Sequence, residues 1–202
     1  MVIAIIIPFV LTFIFRRVGF LTKAEDEVKS DENSQVQAVV EAKKDAEVPA
    51  GTVISIQSPL AGRAKNLSEA PDPVFAQGVM GQGVVIEPTE GELVAPVDGV
   101  VSVLFPTKHA IGLVSPNGAE VLIHIGINTV ELNGQYFESF VKQGEQIKAG
   151  QKLVTFEPEK IKDAGYATQV MVVVTNTASY QKITALHEGD IKNGEQLLKL
   201  KA

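Results

Sequence analysis

The chain has 202 residues, a formal net charge of −6, no cysteine and three histidines, with 45% apolar and 6% aromatic content. That length suits one globular domain with extras, and the absent cysteine excludes disulfides, thiolate metal sites and a cysteine nucleophile. An acidic balance with few aromatics argues against a broad nucleic-acid face, and any imidazole chemistry falls to His109, His124 or His187.

The first element is the run MVIAIIIPFVLTFIF, apolar at all positions but Pro8 and Thr12 and followed at once by Arg16 and Arg17. A spanning helix needs about 20 apolar residues, so the run is short of a full span. It lacks the basic lead and small-residue cleavage site of a secretory signal. We read residues 1–21 as the distal part of a membrane helix, its end held at the cytoplasmic surface by the two arginines. This reading leaves open whether Met1 starts the natural polypeptide.

Lys23 to Glu47 holds eight acidic and four basic residues, with no Gly, Pro or aromatic side chain. A stretch with so little to bury is a solvated tether, here placed at residues 22–47 and assigned no chemistry.

From Val48 the texture changes, and residues 48–202 are expected to form one domain. Short β-branched runs alternate with Gly- and Pro-containing turns: GTVISI, QGVVIEP, GELVAPVDGVVSVLF, AIGLVSPNG, AEVLIHIGI, QKLVTFEP, TQVMVVVTN and EQLLKLKA. The spacing predicts an all-β sandwich or barrel, with short helical turns near Pro73 to Met80 and Glu157 to Ala164. Internal repeats agree with a folded-over architecture. SPLAG (Ser58 to Gly62) echoes APVDG (Ala95 to Gly99), and GEQIKAGQKLV (Gly144 to Val154) echoes GDIKNGEQLL (Gly189 to Leu198). Such repetition suggests two related half-motifs packed face to face.

Two histidines fall in one predicted hairpin, PTKHAIGLVSPNGAEVLIHIGINTV, turning at Ser-Pro-Asn-Gly. A two-residue turn at Pro116 and Asn117 would set His109 opposite His124. Pro116 opposes the primed turns such hairpins prefer, so a bulge at Gly118 would shift this register by one. Alternation points Val121, Ile123, Ile125 and Ile127 to the core and Leu122, His124 and Gly126 to the other face. Gly126 leaves bare backbone beside the His124 ring. If one ring nitrogen donates to a nearby carbonyl, the other holds an outward lone pair as a nucleophile, and a second histidine could offset phosphoryl charge. From the pattern alone such a pair is open to a structural, a metal-binding or a phosphotransfer role.

The residues then resemble a known family. GAEVLIHIGINTVEL (Gly118 to Leu132) is similar to the phosphorylation-site signature of the glucose-type (type 1) enzyme IIA of the bacterial phosphoenolpyruvate-dependent sugar phosphotransferase system. APVDGVV, TKHA (Thr107 to Ala110), PDPVFA (Pro71 to Ala76) and GEQIKAG resemble its other blocks in order, over Val53 to Lys201. The resemblance implies an all-β, antiparallel barrel-like sandwich with a shallow apolar depression around the active histidine.

It further implies that His124 is phosphorylated at Nε2, that His109 contacts the phosphoryl group, and that the Thr107 hydroxyl orients the pair. The Gly126 carbonyl would hold the His124 ring. Val74, Phe75 and Val79 would lie in a docking patch, with Asp72 the acidic residue near the site. Two positions depart from the family: Asn128 and Ala178 stand where Asp is found in relatives, removing negative charge near a partner surface. His187 matches no functional position and reads as a surface residue. The implied partners are the phosphocarrier protein HPr and a cysteine of a sugar-specific IIB domain or permease, with no metal or cofactor and no nucleic acid. The N-terminal run resembles the end of a permease membrane domain, which would place the chain at the cytoplasmic face of the bacterial membrane as the C-terminal part of a IIBCA-like permease.

Two other readings stay in play. A lipoyl- or biotinyl-type carrier shares such half-motifs, but its Met-Lys or Asp-Lys acceptor turn is absent. A zinc peptidase on a related β scaffold could use His109 and His124, but it needs further ligands. A regulatory module governed by its phosphorylation state is compatible with the phosphoryl-carrier reading.

Overall fold

A computed structural model describes Val48 and residues 50–202. The expected membrane helix and tether lie outside the described residues. Among those described, no helix is long and apolar enough to cross a membrane.

Among the described residues, fourteen strands carry the fold. The first eight are β1 (Val53–Gln57), β2 (Gly62–Asn66), β3 (Gln82–Pro88), β4 (Glu92–Val94), β5 (Gly99–Leu104), β6 (Ala110–Val114), β7 (Glu120–Ile127) and β8 (Phe137–Ser139). The others are β9 (Gln146–Ile147), β10 (Lys152–Phe156), β11 (Ala167–Val174), β12 (Lys182–Ala185), β13 (Gly189–Ile191) and β14 (Gln196–Lys201). The two expected helical turns are α1 (Pro73–Ala76) and α2 (Pro158–Asp163). All strand pairings are antiparallel. They give an eight-stranded sheet in the order β13-β2-β3-β11-β7-β6-β5-β9 and two three-stranded sheets, β1-β14-β12 and β4-β10-β8.

The repeats become an approximate two-fold relation. Gln57 pairs with Gln196, while Val94, 37 residues on from Gln57, pairs with Lys152, 44 residues before Gln196; each ladder breaks register at that point. The same offsets relate the Gly62↔Ile191 pair to the Gly99↔Ile147 pair. The two Pro-containing segments clasp each other through Gln57 N–H to Pro96 O (3.0 Å) and Val94 N–H to Pro59 O (2.8 Å). Each is closed by its own Lys-x-Gly turn: Gly194 N–H donates to Ser58 O at 3.0 Å, and Gly150 N–H to Ala95 O at 2.9 Å. This relation puts the axis between β7 and β11, at the Ile123↔Val172 pair. The counterpart of His124 is therefore Val173 and that of Met171 is Leu122, so one half offers an imidazole where the other offers a valine.

These central strands are buried on both faces, which explains their near-continuous apolar spelling. Val121, Ile123, Ile125, Val170, Val172 and Val174 join the main core, while Leu122, Met171 and Val173 on the opposite face are also buried. Ile127, expected in the core, is only part-buried, because the left-handed backbone of Gly126 (φ 75°) ends the alternation.

The two-residue hairpin is corrected. Gly118 N–H donates to Ser115 O (3.0 Å) and Ser115 N–H to Ala119 O (2.8 Å), with Gly118 at φ 84°. Pro116 cannot take the positive φ of a primed turn, so the extra residue is absorbed at Gly118. The register moves by one, and Ala110, not His109, stands opposite His124.

Candidate functional site

His124 projects from the middle of β7, and His109 from the tight link between β5 and β6. In that link Lys108 N–H donates to Phe105 O (2.8 Å) and Phe105 N–H to Ala110 O (3.1 Å), with Lys108 in the left-handed region at φ 62°. His109 keeps a ladder bond, accepting from Ile125 N–H at 2.7 Å. Although it is displaced by one residue along the ladder, its ring meets that of His124 edge-on, centroids 5.0 Å apart and planes at 82°. Both rings are buried, at 0% and 3% exposure.

Each imidazole is anchored through Nδ1. Thr107 Oγ1 lies 2.5 Å from His109 Nδ1. His124 Nδ1 lies 2.9 Å from the Gly126 carbonyl oxygen. A carbonyl only accepts, so His124 Nδ1 is the protonated nitrogen, and Nε2 of the neutral ring carries the lone pair. A threonine hydroxyl donating to His109 Nδ1 leaves the proton of that neutral ring on Nε2, a donor suited to an anionic oxygen.

Gly126 is required by its surroundings. A Cβ built there would stand 2.4 Å from Thr129 Cγ2 and 2.6 Å from the Ala167 carbonyl oxygen, on a backbone of positive φ. Asn128, two residues on, is also left-handed at φ 58°, a conformation asparagine tolerates better than most residues, and it opens the 3-10 turn Thr129–Leu132.

Two phenylalanines flank the pair. The Phe75 ring lies 5.2 Å from His124 and the Phe105 ring 5.3 Å from His109, centroid to centroid. Phe75 is set by Asp72, whose carboxylate caps α1, accepting from Val74 N–H (2.8 Å) and Phe75 N–H (3.4 Å). Pro73 follows it at the first helical position, where a missing N–H leaves no bond unmade. Val74 is part-buried, whereas Val79, just past the helix, is 64% exposed. Met80 and Phe75, on either side of it in the chain, are buried.

The structure thus brings together His124, His109, Thr107, Gly126 and Phe75, with Asp72 one step behind. Ala178 is exposed in the 3-10 turn Thr177–Ser179. His187 is occupied locally, its Nε2 2.6 Å from Asp190 O. Sequence reasoning missed Phe105 and the fully buried Thr129, whose Oγ1 donates to Ile125 O at 2.6 Å. Neither carries a signature beyond its place beside a histidine block. Among the described residues no cluster of three or more His, Cys, Asp or Glu side chains could hold a metal ion.

The family model described as phosphoenolpyruvate-dependent sugar phosphotransferase system, EIIA 1, matches residues 54–180. The chain is 45% identical over 147 residues to the glucose-specific EIIA component of Bacillus cereus, covering 72% of this chain and 89% of that one. It is 50% identical over 145 residues to the beta-glucoside-specific EIIBCA component of Bacillus subtilis, covering 72% of this chain. The matched region spans about a quarter of that longer relative (24%). Among solved structures, glucose permease IIA from Mycoplasma capricolum superposes with a TM-score of 0.71 at 34% identity, covering 74% of this chain and 97% of the other.

Proposed function

The chain belongs to the EIIA 1 family of the phosphoenolpyruvate-dependent sugar phosphotransferase system and is a phosphoryl carrier of that system; on that premise we propose that Nε2 of His124 is the atom that carries the phosphoryl group. The observation that supports this most is the His124 Nδ1 bond to the Gly126 carbonyl, which assigns the lone pair to Nε2 next to a second imidazole.

In the proposed transfer, His124 Nε2 forms a new N–P bond as the P–N bond of a donor phosphohistidine on HPr breaks, the departing imidazole keeping the electron pair. No proton must leave His124, because Nδ1 already holds the one the ring keeps. His109 Nε2–H donates to a phosphoryl oxygen, offsetting its charge between two buried imidazoles. The onward step reverses the roles: a cysteine thiolate of a IIB domain takes phosphorus, and the His124–phosphorus electron pair returns to Nε2. Positioning and charge compensation by the chain's own groups account for the rate gain.

Asp72, Val74, Phe75, Val79 and Asn128 form the proposed docking rim, with Asp72 acting through its cap on Phe75. The relatives carry a glucose-specific name in one case and a beta-glucoside-specific name in another, while matching the same region of this chain. This supports a division of labour in which the IIB or permease partner chooses the sugar. We place the domain at the cytoplasmic face of the membrane, joined to the permease through the N-terminal segment.

Incubation with phosphoenolpyruvate, enzyme I and HPr tests the proposal. The unsubstituted chain takes up one phosphoryl group, and His124→Ala takes up none. Normal labelling of His124→Ala would overturn it.

A further inference from the structure

We infer that Thr129 is a positioning residue for the acceptor histidine: its hydroxyl fixes the Gly126 turn whose carbonyl selects the Nδ1–H tautomer of His124. This rests on the reading of His124 as phosphoryl acceptor, but the tautomer it predicts belongs to the unphosphorylated protein.

The bond from His124 Nδ1 to the carbonyl two residues along its own strand is not a feature of regular β-structure, where the side chain stands away from the sheet. It exists because Gly126 leaves the extended region for φ 75°. Glycine permits that conformation but does not select it, since without a Cβ it visits many others at similar cost. Something must hold the turn, and Thr129 meets it from both sides. Its Oγ1 donates to Ile125 O at 2.6 Å, pinning the peptide that enters Gly126. Its Cγ2 occupies the space a side chain on Gly126 would take. Thr129 has no exposed surface, so water cannot replace its hydroxyl.

The chain of control therefore runs from the Thr129 hydroxyl to the Ile125 carbonyl, the Gly126 turn, the Gly126 carbonyl and the His124 proton. Loss of the hydroxyl frees the Ile125–Gly126 peptide to rotate, and His124 then distributes its proton between both nitrogens. Only the fraction with the lone pair on Nε2 reacts.

The test compares Thr129→Val, which keeps the branched shape, with Thr129→Ser, which keeps the hydroxyl. Long-range 1H–15N correlation spectra of the histidine rings, recorded on the unphosphorylated full chain, read the tautomer directly. Phosphoryl uptake from HPr is measured in parallel. The unsubstituted chain and Thr129→Ser show a single Nδ1–H form of His124. Thr129→Val shows mixed tautomers and takes up phosphate about ten- to a hundredfold more slowly, the scale of a slipped reacting geometry. A folded Thr129→Val with the single Nδ1–H form and an unchanged rate overturns the inference. So does a Thr129→Ser variant that loses that form, and this second criterion decides the matter if the valine variant does not fold. Absence of labelling in the unsubstituted chain would count against the carrier reading, while the tautomer comparison still judges Thr129.

Discussion

The imidazoles of His109 and His124 meet at 82° with centroids 5.0 Å apart, although the strand ladder sets Ala110 opposite His124. His109 reaches the shared space from the end of β6, where Lys108 takes a left-handed conformation and Thr107 holds Nδ1. That separation of duties predicts different phenotypes for the two histidines. His109→Ala leaves a nucleophile in place, so uptake persists while onward transfer to the IIB cysteine slows by roughly a hundredfold or more, the loss typical of a missing charge-stabilising donor. Thr107→Val weakens the same step less, because the imidazole stays but its tautomer is no longer fixed. Single-turnover kinetics of both half-reactions check the pair; equal losses in uptake and release for His109→Ala would contradict the assignment.

Gly126→Ala puts a methyl group against Thr129 Cγ2 and the Ala167 carbonyl, on a backbone of positive φ. We expect a loss of about 1–3 kcal/mol in stability, together with loss of the single His124 tautomer. Urea denaturation and histidine-ring spectra measure the two effects, and an unchanged protein in both would refute the reading of this turn.

Asp72 is expected to act through stability and ring placement. Asp72→Ala removes the cap of α1 at a cost of about 1 kcal/mol, and Phe75 loses order over His124. Asp72→Asn keeps a capping oxygen without the charge. A denaturation series comparing the two separates capping from charge: near-native stability for Asp72→Asn with loss for Asp72→Ala is the predicted pattern.

The two-fold relation makes its own prediction. Gln151 Oε1 accepts from Lys148 N–H at 3.1 Å, and its mate, the Glu195 carboxylate, accepts from Lys192 N–H at 3.0 Å. Gln151→Ala and Glu195→Ala should each cost about 0.5–1.5 kcal/mol, with the double substitution close to additive because the turns lie in different halves. Thermal denaturation of the three variants checks this.

How much of this was legible in the sequence follows from which interactions are local. The all-β class, the helical turn at Pro73 and the paired half-motifs are spelled in short-range patterns, and the Lys-x-Gly turns even identify which segments correspond. The left-handed Gly126 could be suspected from a lone glycine after His124. The hairpin register could not be fixed, because it depends on how one residue between Pro116 and Gly118 is accommodated. Thr129 was invisible for a different reason: a threonine after a strand looks ordinary, and its hydroxyl matters only once the fold brings Ile125 O within reach. Asp72 shows the converse. The resemblance marks it as an acidic position near the site, whereas the fold uses its carboxylate to cap α1 and set Phe75.

The most direct test of the central claim is the nitrogen that bears the phosphoryl group. In the 15N-labelled chain phosphorylated by HPr, 15N–31P coupling should appear at Nε2 of His124, with Nδ1 still protonated and bonded to the Gly126 carbonyl. Coupling at Nδ1 of His124, or at either nitrogen of His109, would contradict the account.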